Sequence, residues 1–136
     1  MRVEVFSYLP DCAREIRRAV FIDEQGFKEE FDDVDLSAVH LVAFDGDAPV
    51  ATCRIFTDGG GFVLGRLAVI KEYRGRHMGL YLLSEAERYI KAQGGKSVAL
   101  HAQVRASEFY KKAGFEEFGE MDFDEGCPHI HMKKYL

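Results

Sequence analysis

The chain has 136 residues, 47% hydrophobic and 30% charged, with a formal net charge of -5. That length and balance suit one soluble domain with one core, and the negative charge argues against general nucleic-acid binding. No apolar run is long enough to cross a bilayer, and residues 1–7 already alternate like a strand, so no signal peptide is expected.

Residues 2–8 read as a strand, with Val3 and Val5 on one face. Pro10 and Asp11 suit the first turn of a helix. Ala13, Ile16, Val20 and Phe21 form its apolar stripe, while Arg14, Glu15, Arg17 and Arg18 are expected in water. Gly26 stops this helix after Glu24 and Gln25. Residues 27–36 are the most acidic stretch, with Glu29, Glu30, Asp32, Asp33 and Asp35 around Phe27 and Phe31. They read as a short helix or a loop. Two roles stay open for them: a solvated connector, or a pocket wall for a cationic substrate whose carbon skeleton meets Phe27.

Residues 38–44 and 49–56 are strands joined by an Asp45-Gly46-Asp47 hairpin signal. Gly59-Gly60-Gly61 makes the next turn, and connections this short require antiparallel pairing. Residues 63–79 organise the rest of the chain. A run rich in Leu, Val and Ile gives way to Arg74, Gly75, Arg76, His77, Met78 and Gly79, then to a helical pattern ending near Gln93. The first amides of a helix lack internal partners, so strand, basic glycine loop and helix together make an anion site.

Residues 97–101 form a strand that follows a possible crossover, so it is expected parallel to the strand at about 62–70. A short helix over 104–113 carries Phe109 and Tyr110 and is closed by Gly114. Strands near 115–118 and 129–134 complete a mixed sheet, and without repeats or linkers residues 1–136 make one domain. The cysteines, Cys12, Cys53 and Cys127, are scattered and odd in number, which favours a reducing cytoplasm over a disulfide framework. Cys127, His129 and His131 share one strand face. Ligands spaced so tightly along a single strand rarely close a tetrahedral site, so no metal is expected.

Two motifs, Arg74-Gly-Arg-His77-Met-Gly79 and Phe109-Tyr110-Lys-Lys-Ala-Gly114-Phe115, resemble those of the GCN5-related N-acetyltransferase (GNAT) superfamily. Val20-Phe-x-x-Glu24-Gln25 and His129-x-His-Met132 are similar to its small ElaA-like or YjcF-like branch. The resemblance implies an α/β fold with a central twisted mixed sheet flanked by helices. The sheet would splay between the central strand, about 62–70, and its parallel neighbour, about 97–102. It also implies acetyl-CoA as co-substrate, with no metal. The pyrophosphate would sit on the amides from Arg74 to Leu80, and the cofactor arm along Leu67, Ala68 and Val69, with the Gln103 amide nearby. Gly65 reads as a bulge or kink that helps open the splay. His77 stands where the family has its first glycine; if φ is positive there, the residue costs roughly 1–2 kcal/mol.

The activity implied is acetyl transfer to a primary amine of a small molecule or peptide, by direct attack in a ternary complex. An alkyl ammonium of pKa about 10.4 needs about 4.6 kcal/mol to form its free base at pH 7. A base near the amine lowers that burden, and an acid protonates the departing thiolate. By resemblance Tyr110 is the acid. Glu24 is the first candidate base, His101 the second and Asp35 the third. Phe27, Arg54 and His129 are expected on the acceptor side. Two alternatives are an acyl-CoA-binding sensor without turnover, suggested by His77, and an acyltransferase like the acyl-homoserine-lactone synthases. No nucleic acid or membrane partner is expected, and the protein is expected to be a monomer or homodimer.

Overall fold

In the strand β2 (Val39–Asp45) alternate residues serve two different cores, as period-two side-chain geometry requires. Leu41 and Ala43 face one layer of the molecule, Val42 and Phe44 the other. A sheet with both faces buried at its centre follows from that alternation. The computed structural model describes residues 1–28 and 30–136.

Among the described residues seven strands make one sheet in the order β1-β2-β3-β4-β5-β7-β6. These are β1 (Arg2–Phe6), β2, β3 (Ala48–Asp58), β4 (Gly61–Val69), β5 (Ser97–Gln103), β6 (Glu116–Asp124) and β7 (Cys127–Tyr135). Their pairing is antiparallel except for β4 with β5, which are joined by a crossover through α2 (Met78–Ala92). The mixed, helix-flanked sheet is the architecture the resemblance implied. The last two strands run longer than the sequence suggested, because Glu125 and Gly126 both take positive φ and close a tight hairpin.

Helix α1 (Asp11–Arg17) continues as a π-helical segment, Arg18–Glu24. Ala13, Ile16, Val20 and Phe21 pack on Val42, Phe44 and Ala68. Leu82, Leu83, Ala86 and Ile90 of α2 pack on the opposite face, with Leu41, Val50 and Leu100. The expectation that Arg17 faces water is wrong: it is only 1% exposed. It lies among carboxylates from residues 27–36, and this overturns the reading of that acidic stretch as a wholly solvated connector. Asp33–Leu36 is a 3-10 turn with a reciprocal Asp32/Asp35 capping box, and Glu30 and Asp35 are buried. Glu30, Asp32 and Asp35 are taken up by arginines and are not free anions, Asp33 stays exposed, and Phe27 and Glu30 line a cleft. Glu29, which belonged to that reading, lies outside the described residues.

The feature that positions the site is where β4 and β5 part. Phe62, Val63 and Leu64 pair with Val98, Ala99 and Leu100, and the pairing stops there although both strands continue. A bulge in β4 sets this divergence. Arg54 pairs with Gly65 while Thr52 pairs with Ala68, so Arg66 and Leu67 oppose Cys53 alone. The left-handed residue of the bulge is Arg66, at φ 54°, rather than the glycine before it. The kink therefore falls one residue later than the sequence suggested. A non-glycine residue holds that conformation while its guanidinium is anchored on Glu30, Nε to Oε1 at 2.6 Å.

Candidate active site

Beyond Leu64 the backbone edge of β4 that faces β5 is unpaired, and an open cleft of about 830 Å³ fills the wedge. Tyr110, His101, Gln103, Phe27, His129 and Leu67 all line it. A row of strand amides and carbonyls with no neighbouring strand is an edge on which an extended chain can pair, although its last carbonyl, that of Val69, already accepts from Arg74 Nε. Ala68 and Val69 pair on their other side with Thr52 and Ala51, which fixes the edge in place.

At the wide end of β4 the loop leads into α2. His77 is its N-cap residue, at φ 60° and ψ 22°, and Gly75 also has positive φ. The position does require a left-handed backbone, and histidine occupies it. The first helical hydrogen bond runs from the Tyr81 amide to the His77 carbonyl, so the amides of His77, Met78, Gly79 and Leu80 have no partner four residues back. Gly79 explains how the two sequence motifs are joined. A Cβ there would stand 3.1 Å from the Phe109 ring, so the glycine lets α2 approach the short helix α3 (Ser107–Lys112).

The arginines of this loop are less free than sequence alone suggests. Arg74 forks onto Glu24 with bonds of 2.7 and 2.9 Å and donates through Nε to the Val69 carbonyl at 3.0 Å. Arg76 lies over the Tyr73 ring at 4.9 Å. The Arg74 hydrogen bonds hold the Glu24 carboxyl below its usual range, and Glu24 does not line the cleft. Our first candidate base is thus a clamp on the loop. The third, Asp35, accepts from Arg17 at 2.8 and 3.0 Å and from Arg54 at 2.9 Å. Burial works to raise its carboxyl, but the two guanidiniums outweigh that and hold it at about 2. An anion so placed is a poor proton acceptor and has no path to the cleft. Arg54 is corrected with it: it is buried, bonded to Asp32 and Asp35, and absent from the cleft wall.

His101 is differently placed. It sits on β5 at the cleft wall, and its Nε2 lies 2.6 Å from Oδ1 of Asp122. A tautomer donating Nε2–H to that carboxylate leaves Nδ1 with a lone pair. Tyr110 is 8% exposed, and among the described residues its hydroxyl has no hydrogen-bond partner. Burial pushes its phenol well above the usual range, which keeps it protonated, and hence a donor, at neutral pH. Gln103 spans the cleft wall, donating to Gln25 Oε1 at 2.8 Å and accepting from Arg105 Nε at 2.6 Å.

Three residues here escaped the sequence reading. Asp122 reaches His101 because β6 carries a register shift between Phe118 and Asp122, which no local pattern announces. Gln25, the residue that ends the π-helical segment, accepts from Gln103 across 78 residues of chain, which no local pattern announces. Arg66 lines the cleft from a left-handed position that only glycine would have signalled.

Comparison with known proteins agrees with this geometry. Residues 8–136 match the family described as acetyltransferase (GNAT) domain. The uncharacterized N-acetyltransferase YjcF of Bacillus subtilis is 34% identical over 122 residues, covering 88% of this chain and 87% of YjcF. Protein ElaA of Escherichia coli is 32% identical over 127 residues, covering 88% and 83%. The ElaA crystal structure superposes with a TM-score of 0.85 over 98% of this chain and 99% of that one. At 18% identity, an aminoglycoside 6'-N-acetyltransferase solved with coenzyme A shares the fold, with a TM-score of 0.77 over 99% of this chain and 97% of that one.

Proposed function

Since the chain belongs to the GNAT acetyltransferase family, we propose that it transfers an acetyl group from acetyl-CoA to a primary amine in the cleft between β4 and β5. The observation that carries this reading is the edge of β4 that pairs with no strand, beside a buried phenol whose hydroxyl has no hydrogen-bond partner among the described residues. The site fits an acyl-CoA on its own chemistry. An extended arm can pair with the edge at residues 65–69, and the unpartnered amides at the start of α2 suit a pyrophosphate. Coenzyme A in the aminoglycoside acetyltransferase of the same fold supports the assignment. When bound, acetyl-CoA supplies an activated thioester carbonyl.

The chain's own residues then have separate tasks. His101, oriented by Asp122, takes the proton that the acceptor ammonium must lose. Tyr110, kept protonated by burial, donates at the position where the sulfur leaves. Phe27 and His129 flank the acceptor's path along the cleft. Gln103 stays on the cofactor side, where its contacts with Gln25 and Arg105 stiffen the wall. Direct attack needs no enzyme nucleophile. Buried Cys53, whose thiol is pushed up to about 12, is inert in this scheme. Three free cysteines fit a reducing compartment such as the cytoplasm.

The test is release of free CoA thiol from acetyl-CoA, screened over small amines and peptides. Release that depends on an amine supports the reading. Tight acetyl-CoA binding with no release on any amine would instead make the protein an acyl-CoA sensor.

A further inference from the structure

Helix α1 packs on β2, β3 and β4, whereas on the same face of β5 and β6, beside the cleft, His101 and Asp122 are exposed. That face gathers side chains from three strands. His101 and His131 are cross-strand partners whose rings stack at 4.4 Å, 13° from parallel. Asp122, from β6, stands 2.6 Å from His101. One donor atom each from His101, Asp122 and His131 falls within 4.8 Å of the others.

We propose that His101, Asp122 and His131 bind a divalent transition metal of the zinc class. Two imidazoles and a carboxylate, with water in the remaining position, are a donor set suited to such an ion. Atoms that share an ion at about 2.0–2.1 Å stand roughly 3 Å apart. The His101–Asp122 separation is already on that scale, and His131 closes the rest by side-chain rotation. His131 supplies the independent observation. It makes ring contacts with His101 and Phe118, yet among the described residues its ring nitrogens have no hydrogen-bond partner. An imidazole stacked beside a His–Asp pair, with its own nitrogens uncommitted to protein groups among the described residues, can join that pair as a third ligand. His129 is not in the set, since only the donor atoms of His101, Asp122 and His131 come together there; its Nδ1 donates to the Cys127 carbonyl at 2.9 Å.

The sequence could not show this site. Its three ligands on one strand, Cys127, His129 and His131, are too close together to close around an ion. The fold keeps His131 and completes it from the neighbouring strands. Binding through Nε2 leaves the single proton of the neutral His101 ring on Nδ1, so both nitrogens are occupied and His101 is withdrawn from proton transfer. Metal binding does not depend on the proposed acetyl transfer; only the resulting inhibition does.

The experiment is calorimetric titration of the whole chain with zinc chloride, without acetyl-CoA, and with cobalt(II) absorption as a second readout. The wild type should bind one equivalent. His131→Ala and Asp122→Asn should each weaken binding by about 100-fold or more, while His129→Ala binds like the wild type. Far-UV circular dichroism identifies any variant that fails to fold, and either ligand variant alone suffices. No binding by the wild type, undiminished binding by both ligand variants, or equal loss in His129→Ala would overturn the site. Failure of the acetyl-transfer assay leaves these outcomes unaffected.

Discussion

Two charged clusters flank the cleft, and they differ in what their charges are free to do. On the α1 side Arg17, Arg54 and Arg66 close on Glu30, Asp32 and Asp35. Almost every polar atom is taken; among the described residues Arg54 Nε and Glu30 Oε1 lack a hydrogen bond, the latter keeping its ion pair with Arg66. On the β6 side His101 and Asp122 are exposed and His131 half-buried, with donor nitrogens to spare. The first cluster holds the wall of the site and the second can act on what enters it. Charge serves chemistry where its partners leave lone pairs over, and residue type alone does not distinguish the two cases.

The largest effect is expected from breaking the closed cluster. Arg17→Ala takes one of two guanidiniums from each of the buried Glu30 and Asp35 and should cost about 3 kcal/mol, read from the denaturant midpoint. The same cluster sets an acid limit. The folded Asp35 carboxyl, at about 2, lies below its unfolded value of about 3.9, so its contribution is complete above about pH 4. That contribution is lost as pH falls toward 2, and Asp35→Asn should remove this part of the acid melting curve. The open cluster should respond in the opposite way. Asp122→Asn is expected to lower kcat roughly tenfold, about 1.4 kcal/mol, with KM unchanged. Its midpoint should stay within about 0.5 kcal/mol of wild type. A matching loss of stability would erase the distinction between the clusters.

The smallest effect is at the loop. His77→Gly removes left-handed strain of about 1–2 kcal/mol, partly offset by the greater freedom of glycine in the unfolded chain. A net gain of about 0.5–1 kcal/mol in the denaturant midpoint is expected, and a loss would mean that the imidazole makes a contact worth more than the strain.

The fold was legible wherever local chemistry decides it. Alternation placed the central strands, Gly26 and Gly114 marked helix ends, and the space between residues 70 and 97 required a crossover and hence a parallel pair. The site was legible where a motif carries it, as in the loop from Arg74 to Leu80 and in Tyr110, and its assignment to chemistry remains a proposal. What escaped depends on long-range geometry. Arg17 carries a water-facing pattern yet is buried, because acids 13 and 18 residues away receive it. Arg54 and Asp35 attracted roles by their chemistry but spend it on each other. Asp122 becomes a partner of His101 only after an irregular β6 register is set.

The central claim is that the wedge between β4 and β5 joins donor and amine, with Tyr110 protonating the sulfur. The most direct measurement pairs acetyl-CoA affinity with amine-dependent thiol release in wild type and Tyr110→Phe. The account predicts unchanged affinity and a turnover loss of about 100-fold or more. Unchanged turnover, or a loss explained entirely by weaker acetyl-CoA binding, would contradict it.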